Sequence, residues 1–160
     1  KAIVSYLPDA DWLPDWMRVE QLVEMFKDFY ADFDPAKADE MLARLELDPK
    51  AKLRTLSKGS KEKVQLILAM SRNAKLYLLD EPIGGVDPAA RDYILHTIIS
   101  NYSKDATVIL STHLIGDIEP VLDEAIFLKD GKVFAHRNVD ELRETEGMSV
   151  DAYFREVFKC

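Results

Sequence analysis

The sequence predicts an α/β fold: a parallel sheet accompanied by a separate helical subdomain. Three observations carry this. Residues 76–82, Leu-Tyr-Leu-Leu-Asp-Glu-Pro, are an apolar run that ends abruptly in two carboxylates and a proline. Residues 107–113, Thr-Val-Ile-Leu-Ser-Thr-His, form a second apolar run with a polar end. Ahead of and between these runs, apolar residues recur at helical spacing. Leu76 to Leu79 are too continuously apolar for a half-exposed strand, so a strand covered on both faces is expected there. Acid placed where such a strand leaves its sheet matters, because open α/β sheets bind ligands at that edge.

Along the chain, Ala2–Leu7 reads as a short strand, followed by a loop with two prolines and two tryptophans, Trp12 and Trp16. One tryptophan is expected to be buried and the other available to a partner. Val19, Leu22, Val23, Phe26, Phe29 and Tyr30 repeat at helical spacing, and the aromatic run of Phe26, Phe29, Tyr30 and Phe33 is expected in the core. Asp34-Pro35 starts a second helix carrying Ala38, Met41, Leu42 and Leu45, which ends before Asp48-Pro49. A third begins near Ser57, with Val64, Ile67 and Leu68 on its apolar face. Pro88 to about Asn101 reads as a helix between the two strands, and Glu119-Pro120 shortens the one after His113. The tail after Asn138 is helical twice, around 140–145 and 150–158, separated by Gly147. The expected organisation is therefore a strand and loop over 1–16, a helical subdomain over 17–75, an α/β core portion over 76–136 and a helical tail over 137–160.

Chemistry concentrates at four places. Asp80 and Glu81 point to opposite sides if extended geometry persists, so one can face a metal-bound group while the other polarises a water. Ser57 is placed as an N-cap, and Gly59 lets backbone approach a ligand. A helix N-terminus carrying Ser57, Lys58, Gly59 and Ser60 suits a phosphate, although an ordinary capped helix with a solvated lysine face has the same pattern. Gly84-Gly85-Val86-Asp87-Pro88 sets Asp87 as N-cap and Pro88 as the first helical residue. His113 ends the second strand, where a lone histidine is more often structural than catalytic.

In this order, these segments resemble the ATP-binding cassette (ABC) ATPases. Residues 56–60 stand for the signature Leu-Ser-Gly-Gly-Gln, 76–81 for the Walker B strand, 83–87 for the D-loop and His113 for the switch histidine. Residues 126–132 look like the strand and hairpin that close the family's catalytic core. The resemblance covers essentially the whole chain, and the Tyr6-Leu7-Pro8-Asp9 start together with Ser57-Lys58-Gly59 looks most like bacterial cassettes of ABC-2-type exporters. It implies an incomplete P-loop NTPase core sheet with an α-helical signature subdomain. It also implies ATP and Mg²⁺ as ligands, Asp80 as the metal residue, Glu81 as general base, and His113 at the γ-phosphate. Ser57, Lys58, Gly59 and Ser60 would complete the site of a second cassette subunit, with Asp87 relaying between the two. The partners implied are that second subunit and an ABC transmembrane subunit, contacted through the helical subdomain, which would hold the chain on the cytoplasmic face of the membrane.

Three departures qualify the match. No Gly-x-x-x-x-Gly-Lys-[Ser/Thr] loop occurs in the chain, although that loop supplies the amides and lysine that hold the β- and γ-phosphates. The chain is therefore expected to be the C-terminal portion of a longer cassette, inactive alone. Asp9 stands where most of the family has the Q-loop glutamine, and Ser60 replaces the last signature residue. In the family's strand order the loop strand lies between 108–110 and 125–128. The gap is expected to close by a shift of 125–128 against 108–110, by a strand from a second copy, or by a separate segment.

Composition bounds the rest. At 160 residues and 48% hydrophobic content there is material for a real core. A net charge of −8 opposes nucleic-acid binding through the phosphate backbone. The single cysteine, Cys160, permits no internal disulfide, which fits a reducing compartment. No apolar run approaches the ~20 residues that span a bilayer. The competing readings are a soluble cassette protein acting in translation or repair, a non-hydrolytic regulatory module, and a metal hydrolase built on Asp80, Glu81 and His113.

Overall fold

The computed structural model describes residues 3–101 and 105–159, which form two compact units, one through Thr112 and one from His113. The start of the first strand expected at Ala2, and Cys160, lie outside the described residues.

The first unit is a three-stranded parallel sheet with a helical layer. Its strands β1 (Val4–Leu7), β2 (Leu76–Asp80) and β3 (Thr107–Ser111) run in that order, with β2 central. The register aligns Tyr6 with Leu78 and Ile109, and Leu7 with Leu79 and Leu110. Helices α1 (Val19–Phe29), α2 (Pro35–Arg44) and α3 (Lys58–Met70) fill the interval between β1 and β2, and α4 (Pro88–Asn101) joins β2 to β3. Asp34 caps α2 through the amides of Ala36 and Lys37, with Pro35 in the first turn. From Val64 to Met70, α3 is buried on every side, because it lies between the helical layer and β1. Ser5 Oγ donates to the Ala69 carbonyl at 2.7 Å across that contact.

Arg72, just past α3, ties the layers together. Its guanidinium is buried and pairs twice with Asp32, Nε–Oδ1 at 2.9 Å and Nη2–Oδ2 at 3.0 Å. Nη1 donates to the Val4 carbonyl of β1 at 2.7 Å, and the group lies 3.9 Å from the centre of the Tyr30 ring. The Arg72 carbonyl accepts from the Tyr77 hydroxyl, which itself accepts from the Ala74 amide. Burial pushes the Tyr77 phenol up, so it stays a donor.

Several expectations are corrected. β2 is not covered on both faces: Tyr77 and Leu79 are buried, but Leu76 and Leu78 are only half-buried. β3 is more open still, with Ile109 exposed. Strand periodicity explains this, since the face of Ser5, Leu7, Tyr77 and Leu79 is sealed while the row Tyr6, Leu78 and Ile109 faces the other way. Both tryptophans are exposed, Trp12 at 43% and Trp16 at 65%. Phe26 and Phe33 are core, with ring centroids 5.8 Å apart, but Phe29 is 78% exposed. Phe29 lies one helical turn beyond Met25 and off the stripe of Val19, Leu22, Val23 and Phe26 that α1 buries.

In the second unit, β4 (Glu124–Lys129) and β5 (Lys132–Asn138) form an antiparallel hairpin. Asp130 (φ 52°) and Gly131 (φ 73°) give its two-residue turn the positive φ angles that match strand twist. After a short α5 (Ile115–Ile118), helices α6 (Val139–Glu146) and α7 (Val150–Val157) pack Val139, Leu142 and Val150 on Phe127. Gly147 ends α6 in the left-handed conformation. The buried Glu119 carboxylate accepts from the amides of Val150 and Asp151 at the start of α7 and from Arg143. Among the described residues β3 pairs with β2, and β4 pairs with β5.

Removing the guanidinium leaves Asp32 without its bidentate partner and the Val4 carbonyl without a donor. Arg72→Met is expected to destabilise the first unit by about 3–5 kcal/mol, with partial recovery in Arg72→Met/Asp32→Leu. Urea unfolding followed by tryptophan fluorescence reads this unit selectively, because Trp12 and Trp16 are the only tryptophans in the chain.

Candidate functional site

The site is built on the carboxyl end of β2. Asp80 is the last residue of the strand and is paired in register with Ser111 of β3, whose hydroxyl donates to Asp80 Oδ1. The chain then turns at once. Glu81 has φ 47°, so the expected alternation of Asp80 and Glu81 along an extended strand is not what the backbone does. Its amide donates to the Ser111 carbonyl at 2.9 Å and its carbonyl accepts from Gly84 at 3.2 Å, which fixes the turn at both ends. A non-glycine residue in this conformation carries strain of about 1–3 kcal/mol, a state concentrated at functional sites.

A cleft of about 180 Å³ opens beside this turn, lined among others by Asp9, Asp11, Lys58, Glu62, Asp80 and Glu81. The residues expected from the 8–9 loop, from the α3 start and from the strand end are thus brought together. Ser57 caps α3, its Oγ accepting from the Ser60 amide at 3.2 Å and donating to Ser60 Oγ at 3.0 Å. Lys58 is exposed and 3.8 Å from Glu62. Gly59 sits against the 84–87 turn, where a Cβ would lie 2.7 Å from the Gly85 carbonyl oxygen. Asp87 caps α4 as expected, Oδ1 accepting from the Ala90 amide at 3.0 Å, and its Oδ2 is 2.9 Å from Lys63 Nζ. The hydrogen bond from Lys63, aided by the Ala90 amide, holds the Asp87 carboxyl below its ordinary value. His113 is exposed at the start of the second unit.

The sequence reading missed Glu62, Lys63, Asp11 and Gln65 as site residues. Lys63 had a signal: it lies four residues after Gly59 and so shares its helix face. Gln65 had none, being a buried polar residue whose Nε2 donates to Asp11 at 3.3 Å.

Asp80 and Ser111 offer oxygens, and among the described residues no group of three or more His, Cys, Asp or Glu could hold a metal.

Comparison with known proteins decides the family. A family model described as "AAA domain, putative AbiEii toxin, Type IV TA system" matches residues 8–116. The ABC transporter ATP-binding protein YtrB of Bacillus subtilis is 30% identical over 145 residues, 90% of this chain and 50% of that protein. The chain belongs to the ATP-binding cassette family. A solved structure described as an ATP binding subunit of an ABC transporter matches 99% of this cassette chain and 69% of its own, with TM-score 0.83 and 28% identity. The glucose import ATP-binding protein TsgD13 of Haloferax volcanii is 28% identical over 135 residues, 79% of this chain and 24% of that protein. The cassette chain thus spans about half or less of these curated relatives. Its α/β architecture is that of the cassette ATPases. No helix among the described residues is long and apolar enough to cross a membrane.

The Asp87 carboxyl stabilises the fold only while ionised. Because its folded-state pKa is lowered from an ordinary 3.8, its contribution is complete above that value and is lost as pH falls through the lower one. The stability gap between the wild type and Asp87→Asn is therefore expected to be constant from pH 5 to 7 and to shrink below about pH 4. Urea denaturation across that range measures the gap directly.

Proposed function

We propose that this chain belongs to the ATP-hydrolysing subunit of an ABC transporter, working as a head-to-tail pair of cassettes beneath a membrane subunit. The observation that carries the reading is the meeting of Asp80, Glu81, Lys58 and Asp9 around one cleft at the carboxyl end of β2. ATP is the substrate, and water attacks the γ-phosphate to give ADP and phosphate. Glu81 accepts the proton of that water, and His113 orients it against the γ-phosphate. Asp80 would hold Mg²⁺, which when bound would supply charge neutralisation for the phosphates. Asp9 takes the Q-loop place beside them. Ser57, Lys58, Gly59 and Ser60 present a capped helix start to the nucleotide of the opposite cassette, where backbone N–H groups favour phosphate. Asp87 links the two sites. The membrane partner is reached through the helical subdomain, which places the protein on the cytoplasmic face.

The chain contains no phosphate loop, so alone it is expected neither to bind Mg-ATP tightly nor to hydrolyse it. Isothermal calorimetry giving micromolar affinity for the 160-residue chain would contradict this. In the intact cassette, Glu81→Gln should keep ATP binding while lowering turnover by ~10²–10⁴-fold, the contribution of a positioned base. The amide keeps the shape but takes no proton, so ATP-bound dimers should accumulate on gel filtration. Turnover near wild type would assign the base elsewhere.

A further inference from the structure

The first turn of α3 and the turn over residues 84–87 interlock through three contacts that the hydrolytic chemistry does not use. At Gly59 the two backbones touch, since a Cβ there would lie 2.7 Å from the Gly85 carbonyl oxygen. At Gly85 the place of a side chain is taken by Glu62, whose Oε2 is 1.6 Å from where a Cβ would sit. That oxygen is buried with no hydrogen-bond partner, an arrangement that costs free energy. Lys63, largely buried, reaches Asp87 Oδ2 at 2.9 Å while the other oxygen of the same carboxylate caps α4. The 84–87 turn is itself pinned to Glu81 through the Gly84 amide.

We infer that Lys63 and Glu62 are positioning residues that register the first turn of α3 on the 84–87 turn, so that the backbone carrying Glu81 and the backbone carrying Ser57 and Gly59 shift together. The functional half rests on the proposed cassette pair. There, Glu81 serves one nucleotide while Ser57 and Gly59 serve the other, so loss of the γ-phosphate at one site is felt at the second through this latch. Lys63 is the element to remove: its Nζ donates to Asp87 Oδ2 at 2.9 Å, and Arg at the same position keeps the charge. Glu62 can be displaced without touching it, because Gly85→Ala puts a methyl against the far end of a flexible side chain.

Amide exchange read by mass spectrometry on this chain tests the latch without any nucleotide. Lys63→Met is expected to speed exchange about fivefold both in the segment 57–66 and in 84–92, the effect of losing a pair worth up to ~1 kcal/mol. Lys63→Arg should restore both segments. Gly85→Ala should speed 57–66, and adding Glu62→Ala should bring no further change. The segment 139–157 of the second unit should not move. In the intact protein, Lys63→Met should lower the Hill coefficient of ATP hydrolysis toward 1, and Lys63→Arg should restore it. Unchanged exchange in 57–66 for Lys63→Met, or Lys63→Arg behaving like Lys63→Met, would overturn the inference. An intact protein without ATPase activity would overturn the nucleotide reading instead, and the exchange result alone would then decide the latch.

Discussion

The first unit depends on where one buried positive charge goes. Arg72 follows the most buried helix and immediately precedes the central strand, so its guanidinium sits where the helical layer, β1 and β2 converge. A lone charge there would be prohibitively desolvated. It is tolerated because Asp32 takes it bidentately, Val4 offers a carbonyl and Tyr30 a ring face. Val4 comes from β1 and Tyr30 with Asp32 from the stretch after α1, so satisfying one side chain ties β1, the end of the α1 segment and the α3–β2 link together. A hydrophobic residue could fill the volume, but it would not specify which carbonyl and which carboxylate must meet.

The site inherits its geometry from that fixed frame. With β2 held centrally, its carboxyl end brings Asp80 level with Ser111, and the chain turns at Glu81, which lines the same cleft. The loop after β1 and the start of α3 then reach the same cleft, because β1 and α3 are both packed against each other. None of these groups lies close in sequence to the Asp80–Glu81 pair except through the fold. Division of labour between adjacent carboxylates follows from backbone conformation: one ends a ladder, the other begins a turn.

Most of the element order was legible because its signals were local. Asp34-Pro35, Ser57, Asp87-Pro88 and Gly147 act within one turn of helix, and each does in the structure what its chemistry demands. The failures concern what lies across from a residue. Leu76, Leu78 and Ile109 read as buried by composition, but burial is decided by what covers a sheet face, and that is not written in the strand. Phe29 fell to the same weakness, since an aromatic run says little about which member a helix turns outward. Glu81 shows a second kind of failure: periodicity arguments assume a regular backbone, and the position of interest is the one that abandons it. The lysine beneath Gly59 escaped because its partner, Asp87, is distant in sequence and was already assigned a capping role.

The two units also differ in how far their chain must travel to close. The β4–β5 hairpin is joined by the Asp130-Gly131 turn alone, so its contacts form between near neighbours. β1 must instead wait for β2 across residues 8–75, with three helices folded in between. Contacts of large sequence separation spend loop entropy before they return any stabilisation, and they set the slow step of folding. The second unit should therefore acquire its ladder first. The first unit's sheet, with the cleft at its edge, should be the last part of the molecule to become native.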